Sequence, residues 1–173
     1  MGSDEKAADL FFEADQLINE NKIVEAKDLL LEILGEFPDY GRAHNHLGWV
    51  YQVKYSDYNR AKKHLELAMK YAPDYHAGYA NYAYLLLDMN DYDGLINFGN
   101  KIVNSNIVID KSTIYDKIAQ AYELKGDVQN AFKYYKLAVK YTLNNKTLEQ
   151  IYASLNRVKD KMTFFQKLKL IIK

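Results

Sequence analysis

Residues 44–51 read HNHLGWVY and bring together two histidines, a glycine and the only tryptophan of the chain. Imidazole nitrogens can ligate zinc or carry a proton, so this stretch is the first place to look for chemistry. The spacing argues against a shared metal. His44 and His46 stand about 200° apart around a helix, so one ion cannot take both rings. His64 and His76 belong to other segments, with nothing at ligand spacing near them. The chain contains no cysteine, which removes disulfides, thiolate zinc sites and a cysteine nucleophile. Residues 94–101, GLINFGNK, miss the phosphate-binding pattern GxxxxGK by one residue and follow no strand. Asp91 and Asp93 read as solvated turn acids, and no serine stands in an elbow-like context with His and Asp in order. The expectation is a non-enzymatic protein with no catalytic group, metal or cofactor.

Charge narrows the partners. Lys+Arg and Asp+Glu are each 23, so the formal net charge is zero, and a general polyanion binder is not built that way. Nucleic acid is therefore not an expected partner. The balance is uneven along the chain. Residues 1–40 hold eleven acids against three lysines, whereas 157–173 hold six bases and one acid. No apolar run approaches the ~20 residues needed to span a bilayer, and the charged start MGSDEKAADL lacks the apolar core of a signal peptide. Membrane contact is not expected, and the location that fits is cytoplasmic.

The elements that must position these residues are helices. Helix formers and aromatics dominate, only two prolines occur, and no segment sustains the period-2 alternation of a strand. Breaks fall near Asn19–Asn21, Pro38-Asp39, Ser56-Asp57, Pro73-Asp74, Asn90-Asp91, Asn104–Asp110, Lys125–Asp127 and Asn144-Asn145. The stretches between them have ordinary helix length. No linker rich in Ser, Gly or Pro marks a boundary, so residues 1–173 read as a single domain.

The segments repeat. Leu17, Tyr51, Leu86 and Tyr122 follow one another at 34, 35 and 36 residues. Ala26 and Ala61, like Pro38 and Pro73, are 35 apart, and Ala131 lies 70 beyond Ala61. Two helices per unit at this period are the mark of a helical solenoid. Leu47-Gly48, Tyr51, Ala61, Leu65, Ala68 and Pro73 form the fullest copy. Tyr115, Ile118-Ala119, Tyr122, Gly126, Ala131, Tyr135 and Ala138 form another. Over residues 7–143 the chain resembles a tetratricopeptide repeat protein. The third copy is the weakest: either Gly94 with Phe98 or Leu95 with Gly99 can fill its small and aromatic places, and its connection at 104–110 is long.

The resemblance implies an all-α, right-handed superhelical solenoid of antiparallel helix pairs. The repeats fall at about 7–40, 41–75, 76–111 and 112–145, and capping helices at about 146–173. It also implies function. In this family the inward face of each first helix lines a groove that holds a peptide or protein segment. The corresponding residues are Phe11, Asp15 and Asn19; Arg42, Asn45, His46, Trp49 and Gln52; Asn81, Tyr84 and Asp88; and Asp116, Lys117, Gln120 and Glu123. The family's clamp for C-terminal carboxylates requires Lys, Asn, Asn, Lys and Arg at the places where this chain has Phe11, Asp15, His46, Ala77 and Asn81. The expected partner is instead a peptide with an apolar anchor and basic or polar flanks. Self-assembly into a weak homo-oligomer is the alternative. It would use the repeats and the basic tail, where Phe164, Phe165, Leu168, Ile171 and Ile172 stand opposite Lys167 and Lys169. Thr147 to Gln150 reads as a capping box opening the capping segment.

Overall fold

The structure, a computed structural model, describes residues 3–164, 166 and 167. Among the described residues there are nine helices and no strand: α1 (Ser3–Asn19), α2 (Ile23–Glu36), α3 (Gly41–Val53), α4 (Tyr58–Tyr71), α5 (Ala77–Asp88), α6 (Tyr92–Val103), α7 (Lys111–Leu124), α8 (Val128–Tyr141) and α9 (Asn145–Lys161). This is an all-α helical repeat fold. The chain forms two compact units, Met1–Leu85 and Leu86–Lys173, so the division falls within α5. In the first unit α1 packs on α2, α2 on α3 and α3 on α4. In the second α6 packs on α7, α7 on α8 and α8 on α9.

The 34-to-36-residue period has a backbone cause. Each turn between a first helix and its second passes through a left-handed residue: Asn21 (φ 59), Ser56 (φ 52), Asn90 (φ 58) and Gly126 (φ 79). Only Gly, and to a lesser degree Asn, takes this conformation without strain. The following amide then returns to the first helix, from Lys22 to the carbonyl of Leu17, Asp57 to Tyr51, Asp91 to Leu86 and Asp127 to Tyr122, at 2.8 to 2.9 Å. These four acceptors are the residues whose spacing revealed the repeat. Asp57, Asp91 and Asp127 cap the second helices, accepting from the amides of Arg60, Gly94 and Asn130.

Counting from those caps fixes the register of the buried faces. Ala26, Leu30 and Ile33 recur as Ala61, Leu65 and Ala68, and again as Ala131, Tyr135 and Ala138, all buried. The third copy resolves to Leu95, Gly99 and Ile102, also buried. Small and large are exchanged there. Leu95 stands where the others have Ala, and Gly99 stands where the others have Leu or Tyr. A Cβ at Gly99 would lie 2.7 Å from Ile118 Cδ1, so the α7 isoleucine fills the room that the missing side chain leaves. Gly48 serves the same end on α3, because a Cβ there would come 2.5 Å from Leu65 Cγ.

The last helix begins earlier than the sequence suggests. Asn144, not Thr147, is the cap of α9, its side chain accepting from the Thr147 amide at 3.1 Å. A reciprocal box does occur further on: the Thr163 amide donates to Gln166 Oε1 (2.8 Å) and the Gln166 amide to Thr163 Oγ1 (3.3 Å). Of the tail stripe read from sequence, Phe164 is exposed, while Phe165, Leu168, Lys169, Ile171 and Ile172 lie outside the described residues.

Candidate functional site

In the first unit the expected binding residues of α1, α3 and α5 meet along one face. Phe11 meets the His46 ring edge-on at 4.6 Å and lies 5.6 Å from Tyr40. His46 Nε2 donates to Asp15 Oδ1 at 3.1 Å, and Asn19 donates to Asp15 Oδ2 at 3.3 Å. The other His46 nitrogen lies 3.2 Å from the Arg42 carbonyl. Asn81 donates to Asn45 Oδ1 at 3.0 Å, which joins α5 to α3. Arg42 covers the Tyr75 ring at 5.4 Å, and Lys54 lies 5.7 Å from the Trp49 ring. Trp49 is half-buried, neither core nor free surface, and Tyr84 is exposed. Asn45 and Gln52, at 3% and 5% exposure, offer little area to a ligand.

The second unit is built differently. Asp88 is exposed. Asp116 accepts from Gln120 at 2.6 Å and pairs with Lys117 at 3.3 Å, and Lys117 itself is buried. Glu123 is engaged by α9: it accepts from Arg157 Nε and Nη2 (2.9 Å each) and from Lys161 (2.8 Å), and the Tyr135 hydroxyl donates to it at 2.9 Å. Arg157 first, then Lys161 and Tyr135, holds the carboxyl at about 2 despite its burial. Sequence reading assigned Glu123 to a ligand face and missed this pairing. The signal was present, since Arg157 follows Glu123 by 34 residues, one repeat period. An open trough of about 720 Å³ between 105–111 and 141–147 was also missed; the long connection at 104–110 was its trace in the sequence.

The histidines of HNHLGWVY part company, as the helical angle requires. His44 turns inward and meets His64 of α4, Nδ1 to Nδ1 at 2.9 Å, with its Nε2 3.0 Å from the Pro38 carbonyl. The next repeat repeats this last bond with a different ring: Tyr79 donates to the Pro73 carbonyl at 3.0 Å. Burial, above all, lowers the pKa of both histidines, that of His64 to about 4, with His44, Lys63 and Arg60 adding to the effect. Among the described residues no group of three or more His, Cys, Asp or Glu could hold a metal, and no helix is long and apolar enough to cross a membrane.

Residues 112–145 match the family model described as tetratricopeptide repeat. No curated protein matches the sequence significantly. Solved structures share the fold at low identity. The PilF structure from Pseudomonas aeruginosa superposes with a TM-score of 0.75 at 15% identity, over 92% of this chain and 76% of its own. Human IFIT1, solved as a dimer with m7Gppp-AAAA, gives 0.75 at 18%, over 86% of this chain and 37% of its own. Yeast Tom70 gives 0.73 at 17%, over 90% of this chain and 33% of its own. This chain therefore spans about a third of the latter two. The match makes residues 112–145 a tetratricopeptide repeat, and the turn and buried face that recur four times among the described residues belong to the all-α repeat fold that these structures share.

Proposed function

We propose that the chain is a protein-binding scaffold without catalytic activity of its own, and that the face formed by α1, α3 and α5 holds a peptide or protein segment. The observation that carries this reading is the run Phe11, His46, Trp49 and Tyr84 on one face, interleaved with Asp15, Arg42 and Asn81. Partly exposed aromatics among amides and single charges suit an apolar anchor with basic or polar flanks. Asp116, Gln120 and Glu123 contribute less, because their polar groups already have partners.

A display library of short peptides selected on the full chain, then counter-selected on Trp49→Ala and Phe11→Ala, tests the proposal. Enrichment of sequences with an apolar residue beside Lys or Arg, lost on both variants, supports it. Preference for a capped oligonucleotide over every peptide would move the reading to the ligand class present in the IFIT1 structure. The zero net charge argues against that outcome.

Self-assembly is favoured by one observation. One stripe of α1 exposes Phe12 (63%) among the exposed acids Glu5, Asp9 and Glu13, while the opposite end of the sequence is basic. Light scattering at two protein and two salt concentrations decides it; a mass indifferent to both leaves only the groove.

A further inference from the structure

A ring column runs between the helices of two repeats. Between α3 and α4 it reads Tyr71, His44, His64, Tyr51, with neighbouring centroids 5.9, 5.2 and 5.5 Å apart. Between α7 and α8 it reads Tyr141, Tyr115, Tyr134, Tyr122, at 5.4, 6.1 and 5.4 Å. Each ring of the first column has its counterpart 70 or 71 residues later. The two columns do the same packing work. They differ in that the central pair is His and His in one, Tyr and Tyr in the other.

The hydrogen bonds of the histidine column determine its protonation. The Pro38 carbonyl can only accept, so His44 carries its hydrogen on Nε2. Neutral His44 then offers a lone pair at Nδ1, and His64 Nδ1–H donates into it across 2.9 Å. A first added proton has to enter at His64 Nε2, putting a charge in a half-buried site. A second, on His44, would set N–H against N–H at that distance. The groups bearing on the pair do not welcome either. Arg60 and Lys63 of α4 are cations, and Tyr51 and Tyr71 present rings already covered by Arg60 (4.6 Å) and Lys70 (4.9 Å). The carboxylate at the start of α4, Asp57, is engaged by Arg60 at 2.5 Å. From the turn after α2 the Pro38 carbonyl reaches the pair.

We propose that the His44–His64 contact is a pH-sensitive latch, closing the α3–α4 pair while both rings are neutral and releasing it in acid before α7–α8, whose column has no group that gains charge there. The released segment would carry Asn45, His46 and Trp49 with it, so binding at that face becomes acid-sensitive if the proposed function holds. The latch itself does not depend on that reading.

The chain supplies its own reporter, since Trp49 is the only tryptophan and lies on α3. Its emission is followed in the full-length protein from about pH 7.5 to about pH 4 at constant ionic strength, together with peptide-resolved hydrogen exchange. Trp49 emission should change between about pH 6.5 and pH 4, and exchange over 41–71 should rise roughly tenfold relative to 111–141, after correction for the intrinsic pH dependence. The double variant His44→Tyr/His64→Tyr copies the other column, and Tyr79 shows that a phenol reaches the preceding proline carbonyl at this place. It should abolish both changes. Should it fail to fold, His64→Gln removes one titrating ring and keeps a donor; its transition should move to lower pH. His76→Gln, at an exposed histidine outside both the column and the proposed face, should keep the wild-type transition. Emission and exchange flat to about pH 4 in the wild type overturn the proposal. So does a transition unmoved in the His64 variants, or one lost in His76→Gln.

Discussion

Gly35 and Gly48 both lie inside helices, and the same substitution at each should act with opposite sign. Alanine in a helix interior is favoured over glycine by about 1 kcal/mol, less near an end. At Gly35, exposed on α2, an added Cβ meets nothing within 4 Å. Gly35→Ala should therefore stabilise by about 0.5–1 kcal/mol. At Gly48 the new Cβ would stand 2.5 Å from Leu65 Cγ, 2.7 Å from Cδ2 and 3.3 Å from the Ala61 carbonyl oxygen. Rotating Leu65 moves Cδ2 but hardly Cγ, and the residue is fully buried, so α3 and α4 must shift apart. Overpacking of this kind costs about 1–3 kcal/mol, which outweighs the propensity gain. Gly48→Ala should destabilise by about 1–2 kcal/mol. Urea unfolding followed by far-UV circular dichroism measures both. In a Leu65→Ala background, itself down by about 2–5 kcal/mol, the Gly48→Ala methyl enters the space vacated and should become stabilising. If Gly48→Ala raised the midpoint as much as Gly35→Ala, the close approach of α3 and α4 would not be what requires glycine there.

Ser56 occupies a left-handed place where the equivalent residues are Asn, Asn and Gly, so Ser56→Gly should raise the unfolding midpoint by about 0.5–1 kcal/mol in equivalent stability. Glu123→Gln should lower stability at neutral pH by about 1–2 kcal/mol, discounted because Arg157 and Lys161 are half exposed. The Glu123 carboxyl is held at about 2, below its unfolded value. Its contribution is thus complete above the ordinary carboxylate range and lost as pH falls toward 2, so the gap between wild type and variant should narrow at about pH 3 in the same urea assay. Trp49→Ala should leave the helical signal and unfolding midpoint nearly intact and weaken binding of any selected peptide by at least ~2 kcal/mol, read by titration calorimetry. A loss of 3–5 kcal/mol in stability would instead make the indole core. Amides across the 104–110 connection should exchange faster than those of α4 and α8, since its backbone is largely outside helix.

The sequence by itself determined the helical repeat, its period and most of the buried faces. Those features are local. A left-handed residue, an aspartate cap and a small residue four places later are chemical requirements of one tight turn and one close crossing, and they leave their marks at fixed offsets. Leu17, Tyr51, Leu86 and Tyr122 were legible because each accepts the same returning amide. The third repeat was ambiguous because packing conserves summed volume rather than residue type. Leu95 over Gly99 fills the same space as Ala61 over Leu65 once Ile118 is there to complete it, and no single helix contains that information. The residues proposed to bind divide in the same way. Membership of a face follows from the 3.6-residue period, so Phe11, His46 and Asn81 could be named in advance. Which polar groups on that face are already taken is settled by neighbours one repeat away. Only the tertiary structure brings Arg157 and Lys161 onto Glu123, His64 onto His44 and Asp15 onto His46, because helix geometry places side chains around an axis, whereas the stacking of one axis on another decides whom they meet.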